Sequence, residues 1–146
     1  MDDYDLALKY TLRLISSKDY LEQTIREKLK QRKYSANIIE QVIERLKELK
    51  YLDNTEYVKA FIEEKIRKKD GPSKIKFKLK SLGIDDEIIS EHLDEIYTEE
   101  LITENIVYWI ERKYEEHEDK QKFLNFCRNK GFRIDMVLTA LKDKDN

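Results

Sequence analysis

The chain has 146 residues, with only 3 Gly and 1 Pro, and 41% of its side chains are charged. Sandwiches, barrels and doubly wound sheets need more Gly and Pro for their turns, so the predicted fold class is all-α, with solvated helices over small cores. The 29 basic and 31 acidic side chains nearly cancel, to a net charge of −2, which hides their arrangement and does not exclude an anionic partner.

In chain order, periodicity and punctuation predict helices at 4–17, 20–32, 36–49, 54–69, 72–82, 86–97, 99–116, 119–130 and 134–143. Asp53 with Glu56 reads as a capping box opening the fourth helix. Gly71-Pro72 puts Pro at the first position of the fifth, where its missing N–H costs nothing. Gly83 and Gly131 stand where the fifth and eighth helices must end in a left-handed residue, and Lys33 holds that place after the second.

The helices repeat. Ile25, Leu29, Tyr34, Ile38-Ile39 and Ile43 recur at the same spacing as Ile75, Leu79, Ile84, Ile88-Ile89 and Leu93, then as Phe123, Cys127, Phe132, Met136-Val137 and Leu141. Upstream, Leu8 and Thr11-Leu12 align with Val58 and Phe61-Ile62, then with Ile106 and Trp109-Ile110. This predicts three tandem three-helix repeats, 1–51, 52–97 and 98–146, stacked into an elongated array that can curve.

The second helix of every repeat is basic. The first repeat carries Arg26, Lys30 and Arg32 there, and the third Lys122 and Arg128. The second repeat carries Lys74, Lys76, Lys78 and Lys80 with no acid between them, just after Arg67, Lys68 and Lys69. Its third helix is the reverse, with Asp85, Asp86, Glu87, Glu91, Asp94 and Glu95, and Glu115, Glu116 and Glu118 extend the acidic charge of the third repeat. Any single charge run is adequately explained as a solvated face. Repetition at equivalent helices predicts a basic stripe suited to phosphates or to an acidic protein groove. Phe77 and Tyr34 interleave with these charges as stacking rings could, although Tyr34 and Trp109 hold repeated apolar positions and read as core or inter-repeat packing.

No catalytic constellation is visible. Three glycines supply no G-x-G-x-x-G or Walker loop. His92 and Glu95 share a helix face as half a metal site at most, His117 has no ligand-spaced partner, and Cys127 aligns with Leu29 and Leu79 as a buried small hydrophobe. The chain is therefore read as no enzyme, with no cofactor and no metal. A lone cysteine excludes an internal disulfide and a multi-cysteine zinc site. The acidic start Met1-Asp2-Asp3 is no secretory signal, and no apolar run approaches the ~18–20 residues of a membrane span, so a soluble cytoplasmic protein without a membrane partner is expected.

Three segments carry a family resemblance. The run from Leu46 through Tyr51-Leu52-Asp53 to Tyr57-Val58-Lys59-Ala60-Phe61 is similar to the "L-x-x-x-G-Y-L-D-D-x-x-[FY]-A-x-x-[FW]" motif of the RecX regulatory proteins, with Lys50 in place of the Gly. Gly71-Pro72-Ser73-Lys74-Ile75 with Leu79 and Gly83-Ile84 resembles a second motif of that family, and Ser17-Lys18-Asp19-Tyr20 with Ile25, Lys28 and Leu29 a third. The resemblance runs from about residue 7 to the end. It implies a monomeric regulator of recombination, DNA repair and the SOS response. Such a regulator binds RecA recombinase filaments on DNA and inhibits their ATPase, coprotease and strand-exchange activities. It also implies weak, sequence-independent affinity for single- or double-stranded DNA. The alternatives are a helical protein that binds the DNA backbone without RecA specificity, and an adaptor for another partner.

Overall fold

In a computed structural model, residues 1–17, 21–114 and 119–144 are described, and those residues contain helices and turns but no strand. The expectations on Lys18, Asp19 and Tyr20, and on Glu115, Glu116, His117 and Glu118, lie outside the described residues. The helices are α1 Asp3–Ser17, α2 Glu22–Gln31, α3 Ala36–Glu48, α4 Asn54–Arg67, α5 Pro72–Ser81, α6 Asp86–Ile96, α7 Glu99–Trp109, α8 Lys120–Asn129 and α9 Ile134–Lys144. A π-helical turn, Ile110–Tyr114, continues α7. The chain divides into two compact units, 1–57 and 58–146.

The first unit packs α1 and α2 on α3. Ala7, Ile25, Leu29, Ile39, Val42, Ile43, Leu46 and Leu52 form its core, with Tyr34 and Ile38 against the edge. The inward face of α1 lies one residue ahead of the expected alignment: Ala7 and Thr11 are fully buried, whereas Leu8 and Leu12 are half-buried. The small Ala7 permits close approach to the core, and the Thr11 hydroxyl satisfies itself on the Leu8 carbonyl at 2.9 Å. In the second unit the interior includes Val58, Ile62, Ile75, Leu79, Ile89, Ile106, Ile110, Phe123, Cys127 and Val137. Each aligned set on the second and third helices is accordingly treated alike. Ile25, Ile75 and Phe123 are fully buried, as are Leu29, Leu79 and Cys127, while Ile38, Ile88 and Met136 sit at the edge.

One device ends five of the helices. Residues 33, 50, 69, 83 and 131 all have positive φ, at 65°, 61°, 68°, 88° and 97°. Around each, the left-handed residue donates its N–H three residues back, and the following residue donates five back. Examples are Gly83 to Lys80 at 2.9 Å with Ile84 to Leu79 at 3.2 Å, and Lys33 to Lys30 at 2.9 Å with Tyr34 to Leu29 at 3.3 Å. This is the Schellman motif, whose accompanying apolar contact joins the residues five apart. The recurring Leu29–Tyr34, Leu79–Ile84 and Cys127–Phe132 spacing has this origin. It also stops α4 at Arg67, short of the expected 69, because Lys69 has turned left-handed.

At three of the five turns the left-handed residue is a lysine, which carries a steric cost that Gly avoids, roughly 1 kcal/mol. Gly in turn raises the entropy of the unfolded chain, an offset of part of that gain. Lys33→Gly is expected to stabilise the protein by about 0.5–1 kcal/mol and Gly83→Lys to destabilise it by a similar or larger amount. Urea denaturation of both variants checks this; a destabilised Lys33→Gly beside a neutral Gly83→Lys counts against equivalent helix ends.

The helix starts are capped locally. Ser35, Asp85, Thr98 and Asp119 accept backbone N–H groups at the starts of α3, α6, α7 and α8. Asp53 takes the N–H of Thr55 at 2.9 Å, rather than that of Glu56 as a full capping box requires. Pro72 stands at the first position of α5 as expected.

Candidate functional site

Helix α5 places the densest run of lysines. Ile75 and Leu79, four apart, are fully buried and fix which side faces inward. At about 100° per residue, Phe77 then points roughly opposite the core, flanked by Lys74 and Lys80, with Lys76 and Lys78 further round on either side. Phe77 is 72% exposed. The run is less uncompensated than its sequence suggests. Lys74 Nζ lies 3.3 Å from the Asp70 carboxylate, whose side chain is 7% exposed, and Lys80 Nζ lies 3.1 Å from Asp86. Lys76 and Lys78 enter no ion pair among the described residues. Burial and the positive charges of Lys65, Lys74 and Lys68 push the Lys78 ammonium below its ordinary value, against the pull of Asp70. The end of α4 and the flank of α5 thus concentrate positive charge.

The start of α5 is held from across the second unit. Gly71 donates its N–H to the Lys130 carbonyl at 2.6 Å and Ser73 to that of Gly131 at 3.1 Å. Gly71 has an ordinary φ of −86°, so it is required by space alone. A Cβ there would sit 2.3 Å from the Gly131 carbonyl carbon, and one on Gly131 2.5 Å from the Lys74 nitrogen.

A second set of bonds secures the end of α4, whose last carbonyls have no partner within the helix. Asn105 Nδ2 donates to the Ile66 carbonyl at 3.1 Å and to the Tyr97 hydroxyl at 2.8 Å. Tyr97 donates onward to the Asp70 carbonyl at 2.7 Å, and Trp109 Nε1 to that of Lys69 at 2.8 Å. Burial raises the Tyr97 phenol to about 12, so it remains a donor at all moderate pH. Trp109 is therefore a packing and latching residue, in line with its repeated apolar position.

The other basic positions predicted from sequence are placed unequally. In the first unit Arg26 bridges Glu22 and Glu40, and hydrogen bonding to Arg26 holds the Glu40 carboxyl below the usual range. Lys30 is exposed, and the Arg32 guanidinium lies 3.8 Å from the Tyr10 ring centroid. In the second unit Arg67 is exposed, Lys68 pairs with Glu64 at 3.0 Å, and Lys69 lies 5.2 Å from the Tyr108 ring centroid. Lys122 is exposed, and Arg128 bonds Asn125 at 3.1 Å. Lys130, on the basic run of the third repeat, lies 4.8 Å from the Trp109 centroid. Sequence reasoning passed over Arg112, 3.8 Å from the Tyr108 centroid, although Tyr108 with Arg112 one helical turn on was an available signal.

No cluster of three or more metal-ligating side chains occurs among the described residues. Cys127 is fully buried and burial pushes its thiol up to about 12, which disables it as a nucleophile. His92 is half-buried, with Nδ1 lacking a hydrogen-bond partner. A cleft of about 500 Å³ beside Pro72, Tyr97 and Met136 contains Asp94, Glu99, Arg133 and Asp135, of which Arg133 and Asp135 are paired with each other. No described helix is long and apolar enough to cross a membrane.

These features define an all-helical protein of short packed units that presents a lysine-rich helix to solvent. Comparison with known proteins makes the class specific. The family model for the first three-helix domain of RecX matches residues 7–46, and that for the second three-helix domain matches 53–93. The regulatory protein RecX of Thermus thermophilus is 34% identical over 134 residues, covering 92% of this chain and 89% of that protein. Its counterpart in Actinobacillus pleuropneumoniae is 35% identical over 132 residues, covering 88% and 86%. The crystal structure of RecX from Lactobacillus salivarius superposes with a TM-score of 0.86 over 99% of this chain and 97% of that one, at 24% identity, a likeness of fold. The chain belongs to the RecX family of regulatory proteins.

Proposed function

We propose that this protein binds RecA recombinase filaments on DNA and inhibits their ATPase, coprotease and strand-exchange activities. It acts in the cytoplasm as a monomeric binding regulator, not as an enzyme, and needs no cofactor. Membership of the RecX family supports the partner. The observation that carries the chemistry is α5, whose lysines surround the exposed Phe77, with Lys80 exposed and Lys74, Lys76 and Lys78 half-buried, opposite a buried Ile75–Leu79 face. The division into repeats 1–51, 52–97 and 98–146 is part of the proposal, supported by the matching burial of aligned positions on the second and third helices, while on the first helix Leu8 and Leu12 are half-buried where Val58, Ile62, Ile106 and Ile110 are buried. Basic second helices steer such an array toward a filament that exposes phosphate and protein. Contacts with neighbouring RecA protomers then oppose the motions of ATP turnover and filament growth. DNA contact through these helices is weak and sequence-independent, to single or double strands.

A second reading, a DNA-backbone binder without RecA specificity, is favoured by the same lysines. Reading of bases by the last helix of the second repeat is disfavoured, because Asp85, Asp86, Glu87, Glu91, Asp94 and Glu95 are all exposed and repel phosphates. The test is DNA-dependent ATP hydrolysis by the cognate RecA. Inhibition at or below equimolar ratio, with no ATPase in the protein itself, is the expected result. Unchanged RecA turnover at tenfold excess in low salt overturns the RecA assignment and leaves the backbone-binding reading.

A further inference from the structure

The geometry points to Phe77 as a stacking platform for an unpaired base, which makes α5 a contact for single-stranded rather than duplex nucleic acid. This rests on the reading of α5 as a nucleic-acid face and specifies the strand form that it takes. A phenyl ring exposed to 72% on the crest of a helix has no part in the core of its own unit. It is ringed by lysines on both flanks, with Lys74 and Lys80 nearer and Lys76 and Lys78 beyond. A partner for that crest has to be anionic and to offer apolar flat surface at the same spot. A single strand meets both demands, since its phosphates lie along the lysines while a splayed base covers the ring. A duplex offers the phosphates but keeps its bases stacked inside. An acidic protein groove would satisfy the charge and is the competing occupant.

Charge is compensated on both flanks, where Lys74 pairs with Asp70 and Lys80 with Asp86. Lys65 and Lys68, from the end of α4 and just beyond it, add positive charge beside Lys78. A backbone whose phosphates reach Lys76 and Lys78 leaves its bases free to lean over Phe77.

The experiment measures binding of the full chain to a fluorescein-labelled oligothymidylate and to a duplex of equal length, across a salt series. Phe77→Ala is expected to weaken the single-strand complex about five- to twentyfold, with an unchanged salt slope and an unchanged duplex affinity. Phe77→Trp and Phe77→Tyr retain the parent's affinity, whereas Phe77→Leu, apolar but unable to stack, behaves like Ala. Circular dichroism checks that the variants keep their helix content. Equal loss for single strand and duplex, full rescue by Leu, or unchanged single-strand affinity in Phe77→Ala each overturns the inference. So does a parent protein that binds no oligothymidylate in low salt. If Phe77→Ala loses inhibition of RecA but not oligothymidylate binding, the crest docks protein and the stacking role is overturned, while the RecA reading stands. Inhibition of RecA ATPase by the parent is scored separately, so the two readings fail independently.

Discussion

Gly71→Ala is expected to destabilise the second unit by on the order of 3 kcal/mol, far more than its conservative chemistry suggests. The added methyl meets the Gly131 carbonyl carbon at 2.3 Å, its oxygen at 2.4 Å and the Phe132 nitrogen at 2.6 Å, all backbone atoms. A flexible side chain could swing aside; two backbones must separate. Separation breaks the Gly71–Lys130 and Ser73–Gly131 hydrogen bonds and leaves their groups to find water in a crowded turn. Reduced unfolded-chain entropy returns only about 0.4–1 kcal/mol. Gly83→Ala is the control. It meets only the cost of a left-handed residue, roughly 1 kcal/mol, at an exposed turn. Urea midpoints for the two variants check the ordering. A Gly71→Ala protein within about 0.5 kcal/mol of the parent means that the turn after α8 yields, and that α5 is not rigidly placed by it.

Much of the local fold was legible because its causes are local. The five-residue apolar spacing Leu79–Ile84 is one Schellman turn, and a turn involves only its own residues. Gly83, Gly131 and Lys33 were therefore readable as equivalent positions before any contact was known. Lys69 was not, since Lys signals nothing about φ and the residue after it, Asp70, is polar where the motif prefers an apolar contact. The register of α1 slipped by one for a related reason. Leu8 and Leu12 outweigh Ala7 and Thr11 in hydrophobicity, yet the smaller pair is the one fully buried.

Contacts between distant segments were not legible. Gly71 and Gly131 each announced a helix boundary, and nothing in either stretch says that the two boundaries touch. Asn105, Tyr97 and Trp109 looked like one polar residue and two aromatics; their shared task is to bond the carbonyls of Lys69 and Asp70 and to add a second donor to that of Ile66, which only the packed structure exposes. The basic residues were read correctly as charges and incompletely as a surface. Arg26 is committed to Glu22 and Glu40, and Lys74 and Lys80 to acids outside their own helix. Sequence proximity finds acids within a run and misses those brought in by a turn.

That distinction decides which lysines carry binding. Replacing both Lys76 and Lys78 with Gln is expected to weaken the complex with RecA–DNA filaments about tenfold at low salt. It should also reduce the slope of log K against log salt by about 1.5, as two phosphate contacts with their released counterions disappear. Helicity should stay intact, because Gln forms helices about as well as Lys and both positions lie off the buried Ile75–Leu79 face. The complementary pair, Lys74→Gln with Lys80→Gln, should change the salt slope less. Those ammonium groups already face Asp70 and Asp86, so a phosphate must compete with a carboxylate for them. This second pair should instead lose stability, by roughly 1–3 kcal/mol, since Lys74→Gln leaves the largely buried Asp70 carboxylate without its cation. Fluorescence anisotropy at two salt concentrations, with urea denaturation of each variant, separates the two outcomes. If the Lys76/Lys78 variant binds as tightly as the parent at both concentrations, α5 does not touch phosphate. The lysines of this helix then serve as solvated surface, and filament binding has to come through other residues.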